Sequence, residues 1–238
     1  SLAADAPLAA RAVAAGGAAV DRDGDGLVLI EGAGEGGGGA TRTVVATVDE
    51  VPIAHGGAAR HNVANALCAI GVAHALGLDP EAMREGLRTF QRIPDDNPGR
   101  LHVVALGGCT VVVDYAHNPH GLRALADVVN ALPPGRRIVL LGQAGDRSDD
   151  DLRDLAAAAM AMRPDVVVVK ELAAMLRGRA MGEVPRVLVA ALQGLGMAEG
   201  AILRADDEIA GAQRALTLAR DGDVVVLPIH KQRGEVMA

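Results

Sequence analysis

The 238-residue chain has no tryptophan, one tyrosine (Tyr115) and one phenylalanine (Phe90). That poverty excludes binding modules that work by aromatic stacking, whether on methyl-lysine, proline-rich peptide or nucleobases. Lysine occurs only at Lys170 and Lys231, and acidic residues outnumber basic ones by 30 to 23, for a formal charge of −7. A nucleic-acid binder carries a basic face or tail, so none is expected here, although an acidic nucleotide at a local site is still compatible. Two cysteines, Cys68 and Cys109, make neither a disulfide framework nor a metal cluster. Both read as small buried apolar residues, and the composition suits a reducing cytoplasm. No apolar run is long enough to span a bilayer, and no basic segment leads into an apolar signal core. The chain starts at Ser1 rather than Met, as expected of a processed chain or a piece of a longer one. Gly-Lys-Ser/Thr, the core of a phosphate-binding P-loop, occurs nowhere.

What the chain does have is a hydrophobic content of 50%, built mostly from Ala, Val and Leu, and 30 glycines. Such a chain is not disordered. Its core must be made of close-packed small aliphatic layers. Residues 1–58 read as small β elements: a tight turn at Gly24–Gly26, strands at 27–30 and 43–48, and a short third strand at Val51-Pro52-Ile53. Gly36–Gly39 reads as a loop. Asp21, Asp23 and Asp25 resemble the start of an EF-hand calcium loop, but Gly32 stands where the closing Glu is required. A helix is expected over 60–76, with Val63, Leu67, Ile70, Val72 and Leu76 as its apolar face. A second begins at Asp79-Pro80, with Met83, Leu87 and Phe90 as its buried stripe. Polar, turn-rich 95–99 marks a domain boundary, giving domains 1–98 and 99–238.

Beyond Arg100 the pattern alternates. Strands are expected at 101–106, 109–114, 137–141, 165–170, 201–204 and 223–227, and helices at 119–131, 149–162, 183–193 and 206–219. Short continuous runs such as Val166-Val167-Val168-Val169 mark strands buried on both faces. The fold class is therefore α/β: a mostly parallel, Rossmann-like sheet flanked by helices, with its first two strands a hairpin through Gly107-Gly108. It is preceded by an incomplete second domain of small strands and two helices.

In such a sheet ligands sit outside the carboxyl ends of the strands. The strand at 109–114 ends in Asp114-Tyr115-Ala116-His117-Asn118-Pro119. There Asp114 can accept from ribose hydroxyls, His117 can bond a phosphate or act as a base, and Asn118 can cap the next helix. The strand ending at Leu141 runs into Gly142–Asp149, where Arg147 can hold phosphate and Ser148 or Asp149 can cap. Lys170 ends another strand, followed by Glu171 and Arg177-Gly178-Arg179. The last strand leads to Pro228-Ile229-His230-Lys231. Arg100 stands where it can reach a ligand beside the domain boundary, and Asn62 and Asn65 share one helix face. No catalytic triad, no nucleophile elbow and no dinucleotide fingerprint is present in a suitable place.

Three motifs in this order resemble the Mur ligase superfamily: Gly57-Ala58-Ala59-Arg60-His61-Asn62-Val63-Ala64-Asn65-Ala66, Gly99-Arg100, and Asp114-Tyr115-Ala116-His117-Asn118-Pro119. They resemble the end of its central ATPase domain and the start of its C-terminal domain. Gly142–Asp149, Lys170-Glu171, Arg177-Gly178-Arg179 and Leu227-Pro228-Ile229-His230 resemble those members that add Arg to the β-carboxylate of an aspartyl backbone. The resemblance implies ATP-dependent amide bond formation: ATP phosphorylates a carboxylate, and an amine displaces phosphate from the acyl phosphate. It implies that Asn62 contacts adenine, that Arg100 and Asp114 bind the nucleotide, and that His117 and Asn118 lie near the reacting centre. It implies that Arg147, Lys170 and His230 steer an acidic amino-acid or peptide substrate. ATP and Mg²⁺ are the implied cofactors, with the Mg²⁺ ligands mainly outside this chain. Because the central domain of the family begins with a P-loop, residues 1–98 resemble only its tail. A P-loop-bearing half is then the missing partner, and the chain alone is expected to be inactive. No nucleic-acid or membrane partner is implied, and a homo-oligomer is compatible. Two alternatives stay open: a Mur-type ligase with another acid and amine, and a non-catalytic nucleotide- or partner-binding module.

Overall fold

A computed structural model describes residues 7–33, 39–90 and 99–237. Most of the Gly36–Gly39 loop, and residues 91–98 beside the expected domain boundary, lie outside the described residues. The chain forms two compact units, Ser1–Arg92 and Ile93–Ala238.

The first unit opens with helix α1 (Pro7–Ala14), which the sequence reading did not anticipate, followed by strands β1 (Ala18–Asp23), β2 (Gly26–Glu31) and β3 (Thr41–Thr47). These strands make an antiparallel sheet in the order β1-β2-β3. Gly24, at φ 59°, turns the first hairpin in the left-handed region that a glycine enters without strain. Helices α2 (Arg60–Ala75) and α3 (Pro80–Thr89) follow. Leu27, Leu29, Val45, Val63, Leu67, Ile70 and Met83 form the core between sheet and helices.

Several expectations for this unit are corrected. Residues Pro52–Ala54 form a 3-10 turn rather than a strand; Pro52 has no N–H to give a ladder. Val63, Ala66, Leu67 and Ile70 keep helical spacing and are buried, but Val72 and Leu76 are 62% and 74% exposed. Val72 lies nine residues beyond Val63, about half a turn round the helix from it. Cys68 is exposed, not buried, whereas Cys109 is buried as expected. Phe90 follows the end of α3 and is 42% exposed.

The second unit contains β4 (His102–Leu106), β5 (Cys109–Asp114), α4 (Pro119–Ala131), β6 (Arg137–Leu141), α5 (Asp149–Met160), β7 (Val166–Lys170), α6 (Glu183–Gly194), β8 (Ile202–Ala205), α7 (Glu208–Leu218), β9 (Val224–Pro228) and α8 (Arg233–Met237). Its six-stranded sheet runs β4-β5-β9-β6-β7-β8. Only β4 is antiparallel, paired to β5 through the Gly107-Gly108 turn, where both φ values are positive. Chain steps from β5 to β6, β7 and β8 all go the same way across the sheet. Right-handed crossovers therefore place α4, α5 and α6 on one face, and the return through α7 on the other. The valine runs are fully enclosed, with Val167, Val168, Val169, Val225 and Val226 all buried.

Helix starts follow the sequence closely. Asn118 accepts from Gly121 N at 2.8 Å, with Pro119 at the first helical position. Ser148 accepts from Asp151 N at 3.1 Å, and Asp151 returns a bond to Ser148 N. Loss of this cap in Ser148→Ala is expected to cost about 1 kcal/mol. A urea midpoint unchanged by that substitution would contradict it.

Candidate functional site

Four neighbouring strands of the second unit, β5, β9, β6 and β7, present polar groups at their carboxyl ends, and Asp114 is in register with Pro228. Asp114 brackets two loops. Its Oδ2 accepts from Leu101 N at 2.8 Å and its Oδ1 from Ala116 N at 2.7 Å. Leu101 is buried with φ 48°, a left-handed conformation rare for a side-chain-bearing residue, which the Asp114 bond helps hold.

Tyr115 follows and becomes the hub of the rim. The Arg100 guanidinium carbon lies 4.8 Å from its ring centroid. The His117 ring is 5.0 Å away, and the His230 ring meets it edge-on at 5.9 Å. A guanidinium over an aromatic face is attracted by the ring quadrupole. His117 Nδ1 lies 3.1 Å from Tyr115 O. Because a carbonyl only accepts, Nδ1 carries the proton and Nε2 becomes the basic nitrogen. Gln143, buried after β6, donates to His117 O at 2.6 Å and accepts from Ala144 N at 2.8 Å.

Beneath this rim lies a buried ion pair. Lys170 is 0% exposed and Glu208 1%. Lys170 Nζ donates to Glu208 Oε1 and to Pro228 O, both at 2.5 Å. Glu208 Oε1 also accepts from His230 N (2.8 Å), and Oε2 from Lys231 N (2.8 Å) and Gln232 N (2.7 Å). Burial pushes the Lys170 ammonium down to about 8 against the pull of Glu208. Burial also works to raise Glu208, but the charge of Lys170 and the backbone donors outweigh it and hold the carboxyl at about 2. His230 is 8% exposed, and its Nε2 lies 3.1 Å from Ala116 O. Burial, and then the nearby Lys170 charge, lower its pKa to about 4. The ring is therefore neutral near pH 7 and donates from Nε2.

The remaining sequence candidates sort as follows. Asn118 Oδ1 serves the cap of α4. Arg147 is exposed on the loop after β6, and its carbonyl accepts from Arg179 at 2.6 Å. Arg179 also pairs with Asp149 and Glu183, and Arg177 with Asp146, so these arginines fasten the 171–182 loop to the 142–149 loop. In the first unit, Asn62 donates to Ile53 O at 2.9 Å and accepts from Asn65 at 3.3 Å. Arg100, Asp114, His117 and His230 thus gather round Tyr115, with Lys170 below. Glu208 and Gln143 were not anticipated. A fully buried lysine requires a carboxylate, but that signal could have led to Glu208 only once Lys170 was known to be buried. Among the described residues no three His, Cys, Asp or Glu side chains gather to hold a metal ion. The donor set does not fit Mg²⁺, and no step is assigned to it. Among the described residues no helix is long and apolar enough to cross a membrane.

This strand-end rim lies at the carboxyl edge of a doubly covered sheet, the place where ligands sit in open α/β domains. Residues 99–228, more than half of the chain, match the family model described as Mur ligase, glutamate ligase domain, and the chain belongs to that family. Cyanophycin synthetase of Synechocystis sp. is 39% identical over 181 residues, covering 75% of this chain and 20% of that protein. The UDP-N-acetylmuramoyl-L-alanyl-D-glutamate--2,6-diaminopimelate ligase of Solibacter usitatus is 34% identical over 168 residues, covering 70% of this chain and 32% of that one. Among solved structures, E. coli FolC in complex with ADP matches with a TM-score of 0.63 at 21% identity, covering 92% of this chain and 45% of that chain. That last likeness concerns the fold alone. The chain spans a fifth of the length of the Synechocystis relative.

Proposed function

We propose that the chain is the C-terminal part of an ATP-dependent amide ligase of the cyanophycin synthetase type, joining Arg to the side-chain carboxylate of an aspartyl backbone. The similarity to Synechocystis cyanophycin synthetase over three quarters of the chain carries this reading. Residues 1–98 are then the tail of a central ATPase domain and 99–238 the C-terminal domain, working in the reducing cytoplasm. The aspartyl carboxylate takes the terminal phosphoryl group of ATP, the amine of Arg attacks the acyl carbon, and phosphate leaves. Arg100, held over Tyr115, and Asp114 bind the nucleotide; Asn62 is assigned to adenine. His117, with Nε2 as its basic nitrogen, lies near the reacting centre, and Asn118 keeps that loop joined to α4. Exposed Arg147 suits the acidic end of the substrate. His230 shapes the floor of the rim, and Lys170 acts from beneath it rather than by touching substrate. The phosphate-binding loop is assigned to polypeptide that these 238 residues do not contain, so this chain alone does not phosphorylate.

The test is phosphate release by the complete ligase. Release is expected with ATP, an Asp-rich primer and Arg together, and none from this chain alone. Release with a peptidoglycan precursor and its amine, and none with the Asp-rich primer, would overturn the substrate assignment.

A further inference from the structure

We propose that Glu208, seated on Lys170, is a positioning residue of the ligase site: through the backbone of 230–232 and the ring of His230 it sets the place of the 115–118 loop. The inference rests on the ligase reading above for its kinetic consequence, but its geometry stands apart from any choice of substrate.

One carboxylate here takes four donors. Three are the consecutive backbone N–H groups of His230, Lys231 and Gln232, and the fourth is the Lys170 ammonium. Glu208 itself is the first residue of α7, whose start is fixed by Asp207 accepting from Ala210 N at 2.7 Å. The loop after β9 is thus hung from a rigid helix end. Lys170 Nζ adds a second hold just before that loop, at the carbonyl of Pro228, the last residue of β9. From the loop, His230 Nε2 reaches Ala116 O, two residues beyond Asp114 and one before His117. The same ring meets Tyr115, on which Arg100 lies. The chain of contacts therefore runs from the buried pair to the proposed nucleotide-binding groups.

One glycine gives independent evidence that the path of Lys170 is built in. A Cβ on Gly142 would lie 2.5 Å from Lys170 Cγ and 2.9 Å from its carbonyl oxygen. A Cβ on Gly211, in α7, would lie 3.4 Å from Lys170 Cβ and 2.6 Å from Leu140 Cδ1. Gly142 thus leaves room for the lysine stem, whereas Gly211 makes room chiefly for Leu140 and meets Lys170 at ordinary contact distance. A buried ion pair is weak evidence for stability, since well-packed apolar residues often replace it without loss. An apolar pair, however, cannot accept three successive N–H groups.

The deciding variant is Lys170→Met with Glu208→Gln, which removes both charges together. In this chain, ¹⁵N spectra of the His230 ring should show loss of the hydrogen-bonded Nε2–H form and a changed titration. The groups facing that ring are Lys170, Glu208, His117 and Tyr115. In the complete ligase the KM for ATP should rise by about tenfold or more, with kcat less affected. A folded double variant with an unchanged His230 spectrum and unchanged ATP KM would overturn the proposal. His230→Leu cuts the same link at the rim without touching the pair. It should raise the KM for ATP similarly, and an unchanged value would overturn the proposal even if the double variant did not fold. If the unaltered ligase ignored Arg and the Asp-rich primer, the substrate reading would fall and the ring spectra would still decide this one.

Discussion

Replacing Glu208 by leucine is expected to cost the fold about 3–5 kcal/mol, and replacing Lys170 by methionine distinctly less. The two partners of the buried pair are not equivalent. Without Glu208, a fully buried ammonium keeps only Pro228 O, and the N–H groups of 230–232 lose their acceptor. The His230 N–H is buried, and a buried donor left without a partner costs roughly 1–3 kcal/mol, while the part-buried N–H groups of Lys231 and Gln232 lose less. Without Lys170, the carboxylate still accepts from those three N–H groups, and methionine fills much of the space that the lysine stem takes beside Gly142. Lys170 is also the partner that burial already pushes towards neutrality, to about 8. Urea unfolding of the two single variants, monitored by circular dichroism, measures the difference. A Lys170→Met variant as unstable as Glu208→Leu would refute the asymmetry.

The chain is also expected to lose about 3 kcal/mol of stability between pH 6.5 and 4 through His230 alone. Burial is the main cause, and the Lys170 charge adds to it; together they lower the folded-state pKa from 6.5 to about 4. The unfolded chain binds this proton at the ordinary histidine value, while the folded chain resists it. Between the two values the unfolded state holds more protons, so stability falls as pH falls. The contribution is complete above 6.5 and is lost as pH drops through 4. Glu208, held at about 2, works in the same direction at lower pH, from 4.5 downwards. Urea midpoints at neutral pH and near pH 4.5, compared with those of His230→Gln, isolate the histidine. An equally steep decline in His230→Gln would show that another group is responsible.

Much of the second unit was legible in the sequence because its signals are local. Valine runs bounded by turns gave the strands, Asn118-Pro119 and Ser148 marked helix starts, and the polar groups at the strand ends marked the rim. The weaker readings were those that depended on distant partners. Lys170 stood out as a rare lysine at a strand end, but its inward course depends on Glu208, 38 residues away. Glu208 reads as an ordinary acidic residue in a first helical turn, and nothing local reveals that the 230–232 backbone closes on it. Gln143 sits in a glycine-bearing loop and reads as surface, yet it is buried against His117 O. In α2 the run of small apolar residues blurred the helical stripe, so exposed Val72, Leu76 and Cys68 were counted with the core.

The place of Tyr115 has a practical consequence. With no tryptophan and no second tyrosine in the chain, all of its tyrosine fluorescence comes from this one ring. That ring lies under Arg100 and against His117 and His230. The protein thus carries its single tyrosine within the proposed site. If the proposed nucleotide draws Arg100 away, or a proton reaches either histidine, the surroundings of the only tyrosine change, and no label need be attached to see it.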